Sequence, residues 1–541
     1  MAFRVLPYSI DNLIGCFVDG SPFTTRDRVA AKLHRVYFEE YFAALGARSI
    51  VVEEDYIDKD YLEDYAAYYD RCFQNYPRRT HRLHFFDVEI GTDGLRAAIE
   101  GGDGCEPEAR LQQAYLGFVV VKPLPQSVVG RTCLRTYPDD NGRRHFPCLR
   151  TYDVNLFGMQ LKVHSLAYQE QDTVVAACAT SALWSCFQGT GKLFQHTTPP
   201  PVQITNWAGE HMPEEFGDVS ARAFPNNGLT ASQMAYAVRR VGLEPVVIGA
   251  ARRDVLNGVA YAFLRGKIPS VLVYRLVQKE GENFVNKGQH AVAITGFSLS
   301  DGPAIADPET GFQLRSTRID KLYGHDDQVG PFARMQWCDP AEGGSLHPCQ
   351  FSMLETSRET DIYADIDFLL LPLYHKIRIP YSLIHDAIMG LDIFMEGVRS
   401  TLYSDVPRGE WDIFLTTAND YKMSVRTDYV KWKLDREEAL YKSMPRFMWR
   451  VLLRVNNQVQ LDILFDATGI AQHNLIVHLV SRGAYERVLK MLVTASSGSG
   501  AQLKPQIAAV LDSFSSAQAQ TVKKPSIPDA VPVEDVAVEV A

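Results

Sequence analysis

Apolar residues return at helical spacing from Arg26 to Leu45, and the run Ser49-Ile50-Val51-Val52 that follows has the length of a strand. Glu53 to Asp70 interleaves carboxylates with Tyr56, Tyr61, Tyr65, Tyr68 and Tyr69. This is the pattern of a helix that buries rings on one face and solvates acids on the other, and such a face would also suit a basic protein partner. The cluster of Arg78, Arg79, His81, Arg82 and His84 reads as a solvated basic face. Past the turn Gly101-Gly102-Asp103-Gly104 the pattern changes to strands at Gly117 to Val121, Val128 to Tyr137, Val154 to Phe157 and Met159 to Val163. A helix is predicted from Cys178 to Phe187, a loop rich in Pro and Gly from Pro199 to Pro225, and a second helix from Thr230 to Val241. Strands at Val246 to Ile248, Ser270 to Leu276 and Ala291 to Phe297 complete this stretch.

Asp339 to Pro348, rich in Gly, Pro and Asp, reads as a boundary. Beyond it a helix is predicted over Tyr381 to Glu396 and strands over Asp412 to Thr416 and Phe447 to Val455. From Ser496 the composition shifts to Ser, Ala, Gln, Pro and Val, so the tail is expected to be mostly disordered, with a short helix near Gln506 to Leu511. The fold expected is α/β in the α+β sense. Its parts are an N-terminal α/β segment over 1–110, a central domain over 111–340, a C-terminal α/β domain over 341–495 and the tail over 496–541.

Composition narrows the class of function. Of 541 residues 46% are hydrophobic and 22% charged, which excludes a disordered, collagenous or coiled-coil chain. The formal charge of −10 argues against a broad nucleic-acid-binding surface. Nine cysteines without closely spaced pairs fit a reducing compartment rather than a disulfide scaffold. The start, MAFRVLPYSIDNLIG, lacks the pattern of a secretory signal, and no apolar run approaches the roughly 20 residues of a membrane span. A cytosolic protein with no membrane or nucleic-acid partner is expected.

Candidate chemistry centres on Cys178, which opens a helix of small residues. Free N–H groups at a helix start favour a thiolate, the form in which cysteine acts as nucleophile. Upstream, Gln171 carries an amide that could donate to the oxyanion formed when a thiolate attacks a carbonyl, with the Cys178 N–H as second donor. Downstream, His290 stands at the mouth of an apolar strand, and Leu322 to Pro331 contains the carboxylates Asp326 and Asp327. Cysteine, then histidine on a strand, then an acid on a later strand is the order a thiol hydrolase needs: the imidazole takes the thiol proton and the acid orients the imidazole. Other constellations are weaker. Gly189-Thr190-Gly191-Lys192 lacks the flanking residues of a phosphate loop. Cys186 lies about 12 Å along the helix from Cys178, too far for a disulfide. His81 with His84, and Cys338 with His347 and Cys349, do not have the paired spacings of a zinc site. No metal and no cofactor are expected.

Residues 160 to 335 resemble the papain-like cysteine peptidase superfamily, in particular the bacterial peptidases that process double-glycine leader peptides. The resemblance rests on the Gln171-to-Cys178 helix start, Gly228-Leu229-Thr230 leading to Gly242-Leu243, Gly266-Lys267-Ile268-Pro269-Ser270, His290-Ala291-Val292 and the Tyr323 to Pro331 strand. It implies a papain-like core, with Cys178 as nucleophile, His290 as base, an aspartate as its orienter and Gln171 at the oxyanion. The family's glutamine usually stands one position nearer the cysteine, where this chain has Asp172, and Ala179 replaces the usual Gly or Ser. Two aspartates suit the third role. Asp326, followed by Gly330-Pro331, matches the acid-bearing strand and is preferred, with Asp307-Pro308 taken as a turn in a hairpin insertion. His325 reads as an ordinary strand-end histidine. The activity expected is cleavage of peptide or isopeptide bonds in a protein or peptide substrate, or deamidation or acyl transfer through the same thioester. A non-catalytic scaffold built on the same core is the alternative, with a protein partner held by the flanking domains.

Overall fold

A computed structural model describes residues 3–101, 106–172, 174–211, 228–249, 252–281, 283–337, 350–353, 362–470, 475–499 and 504–523. The group Cys338, His347 and Cys349, the boundary Asp339 to Pro348 and residues 212–225 of the expected Pro199 to Pro225 loop lie outside the described residues, and Pro201–Glu210 of that loop is instead a helix. Every named strand pairing is antiparallel, so the chain is α+β rather than a wound parallel α/β fold. Two compact units are formed, one by Met1–Ile305 with Leu314–Ile377, the other by Ala306–Gln313 with Arg378–Ala541.

In the first unit, β1 (Phe3–Pro7), β2 (Ser49–Tyr56), β3 (Thr80–Phe86), β4 (Tyr115–Val121) and β5 (Val129–Leu134) make a five-stranded meander. All of β4 is buried, which its unbroken apolar run requires. The helical stretch from Arg26 becomes two helices, Arg26–Ala30 and Leu33–Leu45, separated at Lys32, whose extended backbone sends its ammonium to Glu170.

Two expectations about polar residues are corrected here. The helix Lys59–Ala67 buries two of its acids together with its rings: Asp60 and Asp64 are inside alongside Tyr61 and Tyr65, while Glu63 is exposed. Arg131 lies 2.5 Å from Asp60 and 3.4 Å from Asp58, and the Trp184 indole donates to Asp60 at 3.1 Å. These carboxylates are internal ion-pair partners and are not displayed to a basic protein. The basic cluster is likewise internal in part. Within β3, Arg82 pairs with Glu53 at 2.7 Å and stacks 4.0 Å over the Tyr56 ring, while His84 meets the Tyr115 hydroxyl at 2.9 Å.

Beyond this sheet lie β6 (Arg144–His145) and the hairpin β7 (Arg150–Leu156) and β8 (Met159–Ser165). A larger ladder follows, of β9 (Glu244–Gly249), β10 (Ser270–Glu280), β11 (Asn283–Leu299), β12 (Ile319–Asp326), β13 (Gly330–Trp337), β14 (Gln350–Met353) and β15 (Ile362–Leu373). Each strand from β10 to β15 pairs with the next, and β15 pairs back to β10, so the ladder closes on itself and β9 adds to β15. The helix Cys178–Phe194, almost wholly buried, packs against β11. The expected divisions near residues 110 and 340 therefore fall inside continuous structure, since β3 pairs with β4 across the first and β14 and β15 return to the ladder across the second.

In the second unit, β16 (Glu410–Thr417), β17 (Phe447–Val455), β18 (Gln458–Asp466) and β19 (Ile476–Ser481) form an antiparallel sheet. Helices Tyr381–Leu402, Gly483–Ser499 and Pro505–Lys523 belong to the same unit. The last contains the short helix expected near Gln506 to Leu511 and extends it: Ile507, Val510, Leu511 and Phe514, one helical stripe, are buried, and residues 524–541 of the tail lie outside the described residues. A sequence of scattered apolar residues among Ser and Gln is helical here because neighbours cover that stripe. Phe514→Ala should therefore cost about 3–5 kcal/mol in the denaturant-induced unfolding of the second unit, whereas a disordered tail would give no change.

Candidate active site

The approach to Cys178 is built from the backbone outward. Tyr168 exchanges both main-chain hydrogen bonds with Thr132, at 2.7 and 2.9 Å, and the Glu170 N–H reaches Val129 O at 3.0 Å, so the segment is laid along β5. Asp172 then turns the chain. Its buried carboxylate accepts the N–H groups of Val174 at 2.8 Å and Val175 at 3.2 Å and the hydroxyl proton of Tyr69, while its own N–H reaches Ala176 O at 2.8 Å. Thr205 ties down the carbonyl of Val175 at 2.6 Å. The turn delivers Cys178 as the first residue of its helix, after Ala177, whose side chain offers no cap. The N–H groups of the first turn therefore point past a half-buried thiol, where negative charge is favoured.

Asp172, at the position where the resemblance places its glutamine, is a turn former and as an acceptor cannot serve an oxyanion. Gln171 beside it is half-buried and lines a polar cleft together with Asp327 and Gln328.

His290 is wholly buried on β11, opposite Tyr274 of β10, whose ring meets the imidazole edge-on at 5.6 Å. Its Nε2 donates to Asp326 Oδ1 at 3.0 Å, and the Cys178 thiol is a second hydrogen-bond partner of the ring. Asp326 ends β12 and is itself held, since Oδ1 also accepts the Gln328 N–H at 3.0 Å and the carbonyl takes the Val329 N–H at 3.0 Å. The turn closes tightly on Gly330, where an added Cβ would lie 2.2 Å from the Tyr37 ring. Sequence reasoning read Tyr323 to Pro331 as one strand. It is instead the end of β12, this turn and the start of β13.

The charges around the imidazole decide its state. Burial by itself pushes the His290 proton affinity down, but Asp326 and Asp327, with the hydrogen bonds from Asp326 and Cys178, outweigh it and raise the pKa well above the ordinary value. Asp327, at 3.6 Å from Nε2, was not singled out among the candidates. It is pushed up from the usual carboxylate range by burial, against the pull of His290 and with the push of Asp326.

Asp307 is not brought to His290. It lies in the second unit, and its Oδ1 accepts from Glu309 N, Thr310 N and the Thr310 hydroxyl at 3.1, 2.9 and 2.8 Å, the turn chemistry expected of it. His325 is buried and neutral. Nε2 donates to Leu166 O at 3.0 Å, Nδ1 accepts from Phe332 N at 3.1 Å, and burial lowers its pKa to about 3. Cys186 is a buried free thiol whose pKa burial raises, and Gly189 to Lys192 lie within the helix of Cys178. His290, Asp326 and Asp327 bring three potential ligand atoms within 4.8 Å of one another. The Nε2 proton goes to Asp326 Oδ1 at 3.0 Å, while Asp327 Oδ1 stands at 3.6 Å.

No protein-family profile matches the chain, and no curated protein is significantly similar to it. Among the described residues no helix is long and apolar enough to cross a membrane. The turn analysis carries a test. Asp172→Ala removes three hydrogen bonds and should lower stability by about 1–3 kcal/mol and slow alkylation of Cys178 several-fold, as measured by thermal melting and peptide mass mapping.

Proposed function

We propose that the chain is a thiol-dependent hydrolase of amide bonds with a papain-like core. The observation that carries this reading is one chain of contacts: a thiol at an uncapped helix start, partnered with an imidazole whose Nε2 donates to a buried carboxylate that its own turn also holds. A thiol-bearing helix packed against an antiparallel sheet that carries the histidine and the acid also agrees with the papain-like resemblance of residues 160–335.

In the proposed reaction the Cys178 sulfur attacks the carbonyl carbon while His290 holds the thiol proton. The negative oxygen is received by the Cys178 N–H and the Gln171 amide. The C–N bond breaks as His290 protonates the leaving amine, which leaves a thioester. Water then attacks that thioester, His290 takes its proton, and the C–S bond breaks to release the acid and restore the thiol. Asp326 stabilises the imidazolium in both halves. Replacing water by an amine gives acyl transfer, and a side-chain amide as substrate gives deamidation, with no change in the machinery. A protein or peptide substrate and a reducing, cytoplasmic setting go with this reading, and the six free cysteines among the described residues support the latter.

Iodoacetamide at limiting concentration is expected to label Cys178 faster than the other eight of the nine cysteines, and uniform labelling would overturn the proposal. Cys178→Ala and His290→Ala should each lower turnover by about a thousandfold or more, with the thermal midpoint nearly unchanged in Cys178→Ala and lowered in His290→Ala, which leaves Asp326 and Asp327 buried without their cation. Asp326 raises the proton affinity of His290, so Asp326→Asn lowers it, and the alkaline limb of the rate profile, where the imidazolium is lost, should move to lower pH.

A further inference from the structure

Asp327 is the acid near the imidazole that the proposed reaction does not use. It is 2% exposed, and neither side-chain oxygen meets a hydrogen-bond donor other than its own backbone N–H. Its neighbours are differently placed. Glu170 pairs with Lys32 and accepts the Val129 N–H at 3.0 Å, and Asp326 accepts from His290 and Gln328. His34 bonds to the Asp327 backbone and to the Tyr168 hydroxyl at 2.7 Å, and burial lowers its pKa to about 4, so it brings no positive charge at neutral pH. The cation facing the Asp327 carboxylate is the imidazolium of His290, at 3.6 Å.

A buried carboxylate left without donors destabilises a fold, and groups retained in that state are found where they serve a function. We propose that Asp327 is a second positioning carboxylate for His290, so that the imidazole is held between two acids rather than one. Asp326 fixes the direction of the Nε2–H bond. Asp327 adds charge without competing for that proton, and so holds the imidazole as the acid that the leaving amine needs. Asp327 also lines the cleft of about 240 Å³ that it shares with Gln171, Lys32 and Glu170, which sets it at the edge of the buried cluster.

The inference rests on the proposed function only in making Cys178 the beneficiary, and the test separates the two. The proton affinity of His290 is read directly, by mass-spectrometric C2–H exchange across a pH series, in the full chain and in Asp327→Asn. Asp327→Ser is a second variant that removes the charge with a smaller side chain. Expected are a fall of about tenfold in the proton affinity of His290, alkylation of Cys178 about tenfold slower at neutral pH, and melting no lower than that of the unmodified chain. The last follows from sign: a carboxylate that folding makes harder to ionise destabilises the fold above its unfolded pKa, and a neutral residue removes that cost. An unchanged His290 titration in both variants, or lower melting with unchanged titration, overturns the role given to Asp327. Uniform alkylation of the unmodified chain overturns the hydrolase and leaves the His290 measurement to stand by itself.

Discussion

The contact on which the site depends is the hydrogen bond from His290 Nε2 to Asp326 Oδ1, made at 3.0 Å and out of reach of water. Taking an imidazolium and a carboxylate from water is costly, and their attraction offsets that only when the remaining polar atoms are also met. The Gln328 N–H, supplied by the turn that Asp326 begins, shares Oδ1 with the imidazole and helps hold the carboxylate. The Cys178 thiol is a further hydrogen-bond partner of the imidazole. Each partner thereby fixes the next, and the helix start, the strand and the turn are held in mutual register by groups that are expensive to leave alone.

The same logic runs through the support of that site. Asp172 turns the chain into the helix, Tyr69 closes the carboxylate from behind, and Tyr69 belongs to the acidic, tyrosine-rich stretch that also buries Asp60 and Asp64. Burial raises the pKa of Asp64 well above the ordinary range, although Lys122 and the Val202 N–H act against it. Much of the polar chemistry beside the helix of Cys178 is thus internal, held by Arg131, Trp184 and main-chain donors. What looks in one dimension like an interaction face is, in part, packing beside the helix that Cys178 opens.

Elements with a strong period were legible in the sequence. The alternation in Met159 to Ser165 and the helical spacing after Thr230 survive folding almost residue for residue. The Cys178, His290 and Asp326 contact was reached from residue type and order, and the preference for Asp326 over Asp307 agrees with the geometry because the Asp307 carboxylate is occupied by its own turn. Other features were not legible, for a common reason. Arg82, His84, Asp60 and Asp64 count as polar in any pattern, yet each is buried with a partner brought from elsewhere in the chain. Asp327 carries no signal of its own beside Asp326. Only the placement of the turn shows that both acids reach one imidazole.

The pairing of β15 with β10 has a consequence for the order in which the chain can be completed. Cys178, His290 and Asp326 are all synthesised before Ile362, yet β10, the direct neighbour of the histidine strand, keeps one side unpaired until Ile362 to Leu370 have arrived. Joining segments so distant in sequence is entropically costly and belongs to the slow part of folding. The residues of the site are thus available long before the ladder that holds them closes, and a nascent chain carries the site in unfinished form until β15 is in place.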